Sequence, residues 1–198
     1  MLNQKQQDAI TEIVNIGVGK GSAILSDMVS TEIKLNVPYV NVISFDDIVD
    51  ELEHLKTNDV HAVEMKFHGE FDGVSNIILS TESANQLASL VVQQPQGTET
   101  FEEMKGGVLI EIGNIILNGV MGSFGNILNI PLDYRIPQSF EGGIKDFYNS
   151  LDKEAYRQIL FCRTNFVIKG NPIEGEILII YEIGSFQKLK KVLDDMLA

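Results

Sequence analysis

The feature that most constrains this chain is a spaced triplet that occurs twice. Residues 8–38 read DAITEIVNIGVGKGSAILSDMVSTEIKLNVP, and residues 107–137 read GVLIEIGNIILNGVMGSFGNILNIPLDYRIP. Glu111, Asn114 and Pro137 each stand 99 positions after Glu12, Asn15 and Pro38. In both copies 22 residues separate the Asn from the Pro. A shared phase held over that distance implies two copies of one unit, about residues 1–95 and 100–198, forming a single domain.

The elements that follow each triplet also correspond. After Pro38 come a β-rich run, 39–44, a short helical stretch, 45–55, and a hairpin pairing 60–67 with 74–80. A helix near 81–93 closes this half. The second half has a short helix near 144–151, a hairpin pairing 159–168 with 176–182 around Lys-Gly-Asn-Pro, and a last helix over 185–197. Pro95 and Gly97 mark the link between halves, and Thr100 with Glu103 reads as a capping box for the second long helix. Both long helices are amphipathic. Ile10, Ile13, Val14, Gly17, Gly21, Ile24, Leu25 and Met28 share one face of the first. Leu109, Ile112, Gly113, Ile116, Val120, Phe124 and Ile127 share one face of the second. The strands partly alternate, as in Val63, Met65 and Phe67. The expected fold is α+β in two layers: one continuous, largely antiparallel sheet with the helices on one side and a pseudo-twofold between the halves.

The opposite face of each long helix carries the polar residues. In the first helix the stripe is Asp8, Glu12, Asn15, Gly19, Ser22 and Ser26; in the second it is Gly107, Glu111, Asn114, Asn118, Met121 and Gly125. Residues three apart on a helix are neighbours, so each Glu and Asn point the same way. With small residues around them, they suit close approach by another protein better than a pocket does. An amide cannot act as a general base, but it can orient water by donating and accepting hydrogen bonds. Phosphoryl transfer asks for little more than such positioning, and an acyl phosphate already has a good leaving group. The carboxylate would hold a cation on the partner. Asn is a poor residue inside a helix, so its recurrence beside Glu at the same phase argues for a use. The flanking positions differ between copies (Thr11 and Ile110, Lys20 and Gly119), while Glu, Asn and Pro do not.

The arrangement Asp8-x3-Glu12-x2-Asn15-x22-Pro38 resembles the signature of the CheC/CheX/FliY family of chemotaxis phosphatases. Glu111-x2-Asn114-x22-Pro137 resembles it too, with Gly107 in place of the leading Asp or Ser. Two motifs in a chain of this length look like the CheC type; a FliY-type chain would need room for a further flagellar-switch domain. The resemblance implies hydrolysis of the aspartyl phosphate of a phosphorylated CheY-type response regulator. Glu12 and Glu111 would each pair with the regulator's active-site lysine, and Asn15 and Asn114 would each position the attacking water. Asp8 would assist in the first copy, and Gly107 removes that help from the second. Pro38 and Pro137 would be structural. The chain would need no cofactor of its own, the Mg²⁺ belonging to the partner. The resemblance also implies a second partner, the deamidase CheD, near the short helix at 144–151, where Asp146 is a candidate contact. A non-catalytic adaptor that binds CheD or flagellar-switch parts remains an alternative, as does a phosphatase for a regulator outside chemotaxis.

Composition narrows the rest. A formal charge of −13 opposes nucleic-acid binding and docking on an anionic membrane. The single cysteine, Cys162, cannot build a disulfide framework, which suggests a reducing cytoplasm, and its apolar surroundings make it a buried strand residue rather than a nucleophile. The first ten residues lack the pattern of a signal peptide, and no apolar run looks long enough to span a membrane. Gly17-Val18-Gly19-Lys20-Gly21-Ser22 lacks the order of a phosphate-binding loop and sits inside a helix, where close packing explains its glycines better. His54, His61 and His68 do not form a helical metal pair. Asp46, Asp47, Asp50, Glu51 and Glu53 read as a solvated helix face, with a partner surface as the lesser reading.

Overall fold

A computed structural model of the chain describes all residues except 1, 56, 57, 153–155, 169, 170 and 183. The turn expected at Lys169-Gly170 therefore lies outside the described residues.

The first helix, α1, runs Gln4–Val29, opened by a capping box between Asn3 and Gln6 and ended by Ser30 in the left-handed conformation (φ 49°). Strand β1, Ile33–Ser44, follows. A short helical passage comes next, with α2 at Ile48–Leu52. The hairpin is β2, Asp59–Gly69, with β3, Gly73–Ser80, and it leads into α3, Thr81–Val92. The second half has α4, Glu99–Leu128, then β4, Leu132–Tyr134, and β5, Gln138–Gly143. It continues through α5, Ile144–Ser150, β6, Tyr156–Ile168, β7, Asn171–Glu182, and α6, Ser185–Leu197. One difference from expectation lies at the start of α4. Its N-cap is Thr98, whose hydroxyl accepts from the Phe101 amide at 3.3 Å, rather than Thr100. The earlier start lets Phe101 turn fully into the core.

The strands form one antiparallel sheet in the order β1-β6-β7-β3-β2-β4, with β5 also on β2. β1 is therefore one edge strand, and the β4/β5 pair forms the other. The helix order and the strand order of the first half recur in the second, with the β1 position filled by two short strands.

Both faces of the sheet are buried, which corrects the expectation of helices on one side only. One core lies between the sheet and α1, α3, α4 and α6. A second core lies on the far face, where Ile48 and Leu52 of α2 and Ile144 and Phe147 of α5 meet Val60, Ala62, Ile78, Phe161 and Ile180. The cause is in the strands: Gly73–Leu79 of β3 is buried throughout, and a strand apolar on both sides needs cover on both. Cys162 lies in the helix-side core, and burial pushes its thiol far above the usual range.

The long helices cross in close antiparallel contact. A Cβ on Gly17 would lie 2.5 Å from Val120 Cα, and one on Gly21 would lie 3.1 Å from Ile116 Cα. Gly within a helix costs about 0.5–1 kcal/mol relative to Ala, offset here by the backbone approach it allows. α4 also rides over β2, since a Cβ on Gly113 would meet Val63 at 2.6 Å. α4 is long and apolar enough to cross a membrane, contrary to expectation, although half of that stretch is buried within the fold. Three side chains assigned to the buried faces are instead substantially exposed: Ile24 (54%), Met28 (41%) and Ile127 (38%).

Candidate functional site

Glu12 and Asn15 lie one turn apart on α1, as do Glu111 and Asn114 on α4. Both Glu side chains are exposed and both Asn side chains are half-buried. Because the helices are antiparallel and cross at Gly17 and Val120, the two pairs fall on opposite sides of the crossing. At 1.5 Å per residue they are about 17 Å apart along the helix pair. The two pairs therefore form two separate surface sites rather than one shared one.

The polar stripe of α1 is not a flat face open to solvent. Glu12 and Asn15 differ by about 60° around the axis, and that roll carries Asn15 against β1 while Glu12 stays in solvent. The Asn15 side chain holds the strand backbone at Val37. Its Oδ1 accepts from the Val37 amide at 2.8 Å, and its Nδ2 donates to the Val37 carbonyl at 3.0 Å. Nδ2 also donates to the Thr11 carbonyl at 3.0 Å. Ser22 and Ser26 continue the grip further along. Both hydroxyls donate to the Ile33 carbonyl, and the Ile33 amide donates to Ser26 Oγ at 2.9 Å. The β1–β6 register shifts between Asn36 and Tyr39, which frees Val37 from the ladder to face the helix. Pro38 lies within this irregularity, where a residue with no N–H is tolerated on an edge strand. Its side chain lies outside the described residues.

The second copy is built differently. Where α1 has Ser22 and Ser26, α4 has Met121, which is buried in the core, and Gly125. Neither can hold a strand with a side-chain hydroxyl. A Cβ on Gly125 would come within 3.2 Å of the Ile130 carbonyl, so the chain folds back closely there instead. β4 ends after three residues, and Arg135–Pro137 separates it from β5. Ile136, the counterpart of Val37, is 88% exposed. Asn114 bonds a neighbour on its own helix: Asn118 Nδ2 donates to Asn114 Oδ1 at 2.6 Å. Pro137 is half-buried in the break before β5.

The remaining candidates are dispersed. Asp8 is exposed one turn before Glu12, and Gln4 Nε2 donates to it at 2.8 Å. Gly107 has open space where a Cβ would point. Asp146 is exposed in the first turn of α5, on the sheet face opposite both Glu/Asn pairs. His61 is buried in β2, 3.7 Å from Glu141, and His68 lies at the surface 3.4 Å from Asp72. The side chain of His54 lies outside the described residues. Asp46, Asp47, Asp50 and Glu53 are exposed, while Glu51 pairs with Arg163 at 3.7 Å.

Sequence reasoning missed two things: the grip of Asn15, Ser22 and Ser26 on β1, and the bond from Asn118 to Asn114. The signal was present in the replacement of Ser22 and Ser26 by Met121 and Gly125.

No family model matches the chain. Among curated proteins it is 23% identical over 140 residues to the CheY-P phosphatase CheC of Bacillus subtilis, a match covering 69% of this chain and 66% of that protein. It is 21% identical over 150 residues to CheC1 of Halobacterium salinarum, covering 74% of each. Among solved structures, Thermotoga maritima FliY matches with a TM-score of 0.79 at 18% identity over 99% of both chains. The FliM middle domain of H. pylori matches with a TM-score of 0.66 at 7% identity over 96% of this chain and 99% of that one.

Proposed function

The chain belongs to the CheC/CheX/FliY family, and from that premise we propose that it hydrolyses the aspartyl phosphate of a CheY-type response regulator. The observation that supports this most is the pair of exposed Glu residues, each one turn from an Asn, on helices that present them to a partner. In each pair the carboxylate holds a lysine of the regulator and the amide orients water for in-line attack. The regulator supplies the Mg²⁺; the residues Glu12, Asn15, Glu111 and Asn114 offer no carboxylate cluster to hold one.

The two pairs do not contribute equally in this reading. Every N–H of the Asn15 amide is engaged by backbone carbonyls, so that amide must leave Val37 before it can orient water. Among the described residues, Asn114 has only the bond from Asn118 to Oδ1, and its Nδ2 has no partner. Glu111 and Asn114 therefore carry most of the turnover, although Gly107 departs from the motif. We read the two halves as repeats of one unit whose second copy kept the chemistry and whose first copy gained a structural duty.

The test is release of phosphate from a phosphorylated regulator with Glu12, Asn15, Glu111 and Asn114 all replaced by alanine. The expected rate is that of the regulator alone; unchanged turnover would end the proposal. A second reading, a non-catalytic adaptor binding CheD or flagellar-switch parts, is favoured by the shared fold with FliM, which in H. pylori forms a complex with FliG. Wild-type protein that binds phosphorylated regulator without speeding phosphate loss would establish that reading instead.

A further inference from the structure

Asn118 is exposed, lies one turn beyond Asn114, and has no part in the chemistry above. Its counterpart on α1 is Gly19, which has nothing within 4 Å of where a Cβ would point. The first copy therefore has no side chain at this place, and there the backbone of β1 orients the Asn instead. Among the described residues, Asn114 makes no such bond to the backbone at Ile136, which is 88% exposed. The terminal torsion of an Asn side chain is broad and soft. Left alone, the Asn114 amide would present its oxygen or its nitrogen to a partner with little preference. Asn118 Nδ2 occupies Asn114 Oδ1 at 2.6 Å and so turns Nδ2 of Asn114 outward.

We propose that Asn118 is a positioning residue that fixes the Asn114 amide with its N–H groups facing the partner. The ligand presented to those N–H groups is then an acceptor oxygen, that of the attacking water or of the phosphoryl group. The inference rests on the reading that Asn114 works at the second site. An Asn–Asn pair can also be satisfied in the opposite sense, with Asn114 as donor, and the two senses differ in which end of the amide faces out.

Substitution tests whether that bond sets turnover. Asn118→Leu removes the donor, keeps the size and adds no charge. Asn118→Gln keeps a donor on a longer arm. Turnover is measured on a CheY-type regulator phosphorylated with acetyl phosphate, with kcat and KM resolved. Asn118→Leu is expected to lower kcat about tenfold with KM nearly unchanged, on the scale of one hydrogen bond. Asn118→Gln should restore kcat to within about threefold of wild type. The double variant Asn114→Ala/Asn118→Leu should be no slower than Asn114→Ala alone, because Asn118 acts only through Asn114. Leu is a better helix former than Asn, so thermal stability should hold, and a loss of kcat is not a loss of fold. Wild-type kcat in Asn118→Leu, a change confined to KM, or additive losses in the double variant would overturn the proposal. If Asn114→Ala itself keeps full turnover, the second-site reading fails; if Asn114→Ala is slow and Asn118→Leu is not, only the positioning role fails.

Discussion

Along α1, Asn15, Ser22 and Ser26 each bond the backbone of β1, a single strand of twelve residues with one irregularity at Val37 and Pro38. Along α4, the residues at the same offsets are Asn114, Met121 and Gly125, and the strand that follows breaks after Tyr134. The same Glu-x-x-Asn spacing thus sits at two unlike helix–strand junctions. Where hydroxyls line the helix, the strand is held and the Asn is drawn into holding it. Where a buried Met and a Gly replace them, the strand parts and the Asn bonds Asn118 on its own helix instead. The same motif residue can hold a strand at one junction and leave it at the other, and the neighbours decide which.

That comparison can be broken at its common base. Gly17→Val places branched carbons where the α4 backbone already stands, since even a Cβ would lie 2.5 Å from Val120 Cα. A loss of about 3 kcal/mol or more in urea denaturation is expected, with both sites disrupted together. Next in size is Asn15→Ala. It leaves the Val37 amide and carbonyl without their side-chain partner and should cost about 2 kcal/mol. Asn114→Ala should change stability by less than about 0.5 kcal/mol, because it holds no strand. Equal costs for the two Asn variants would dissolve the contrast.

A smaller effect concerns the tie between α4 and β5. Lys105 lies 3.2 Å from both Glu102 and Glu141, and Glu141 lies beside buried His61. Burial lowers the His61 pKa, opposed by Glu141 and reinforced by Lys105. The unfolded chain then binds the proton more readily than the folded one. The penalty is absent above about pH 6.5, the unfolded value, and grows as pH falls through it toward the folded pKa. The fall in Tm between pH 7.5 and 5.5 should be shallower in His61→Gln, and an unchanged slope would remove His61 from the account. The smallest effect is expected from Gly107→Asp, which completes the second motif. The site has room for the side chain, and Asp is a better helix residue than Gly, so stability should rise by a few tenths of a kcal/mol. Phosphate release should rise at most about threefold.

Much of the fold was legible because hydrophobic period and turn residues act locally. The final helix, both hairpins and the short helix before β6 fall within a few residues of where the pattern puts them. The second core was less legible. The run Gly73–Leu79 has Ser75 and Asn76 at its centre and does not read as buried on both sides, and only the tertiary structure shows α2 and α5 covering its far face. At the sites, helical period placed Glu12 and Asn15 on one stripe but could not say that the stripe straddles the boundary between solvent and β1. Asn15, Ser22 and Ser26 look like a flat polar face until the strand lies beside them. The start of α4 was missed because Thr98 and Thr100 both precede a plausible first turn, and the burial of Phe101 chooses between them.

The central claim is that the second pair works while the first mainly holds β1. The most direct measurement compares phosphate release from one phosphorylated regulator by two variants, Glu12→Ala/Asn15→Ala and Glu111→Ala/Asn114→Ala, each shown to be folded. The account predicts a loss of at least about tenfold for the second variant and a clearly smaller loss for the first. A larger loss from the Glu12/Asn15 variant, with Glu111/Asn114 left near wild type, would contradict it.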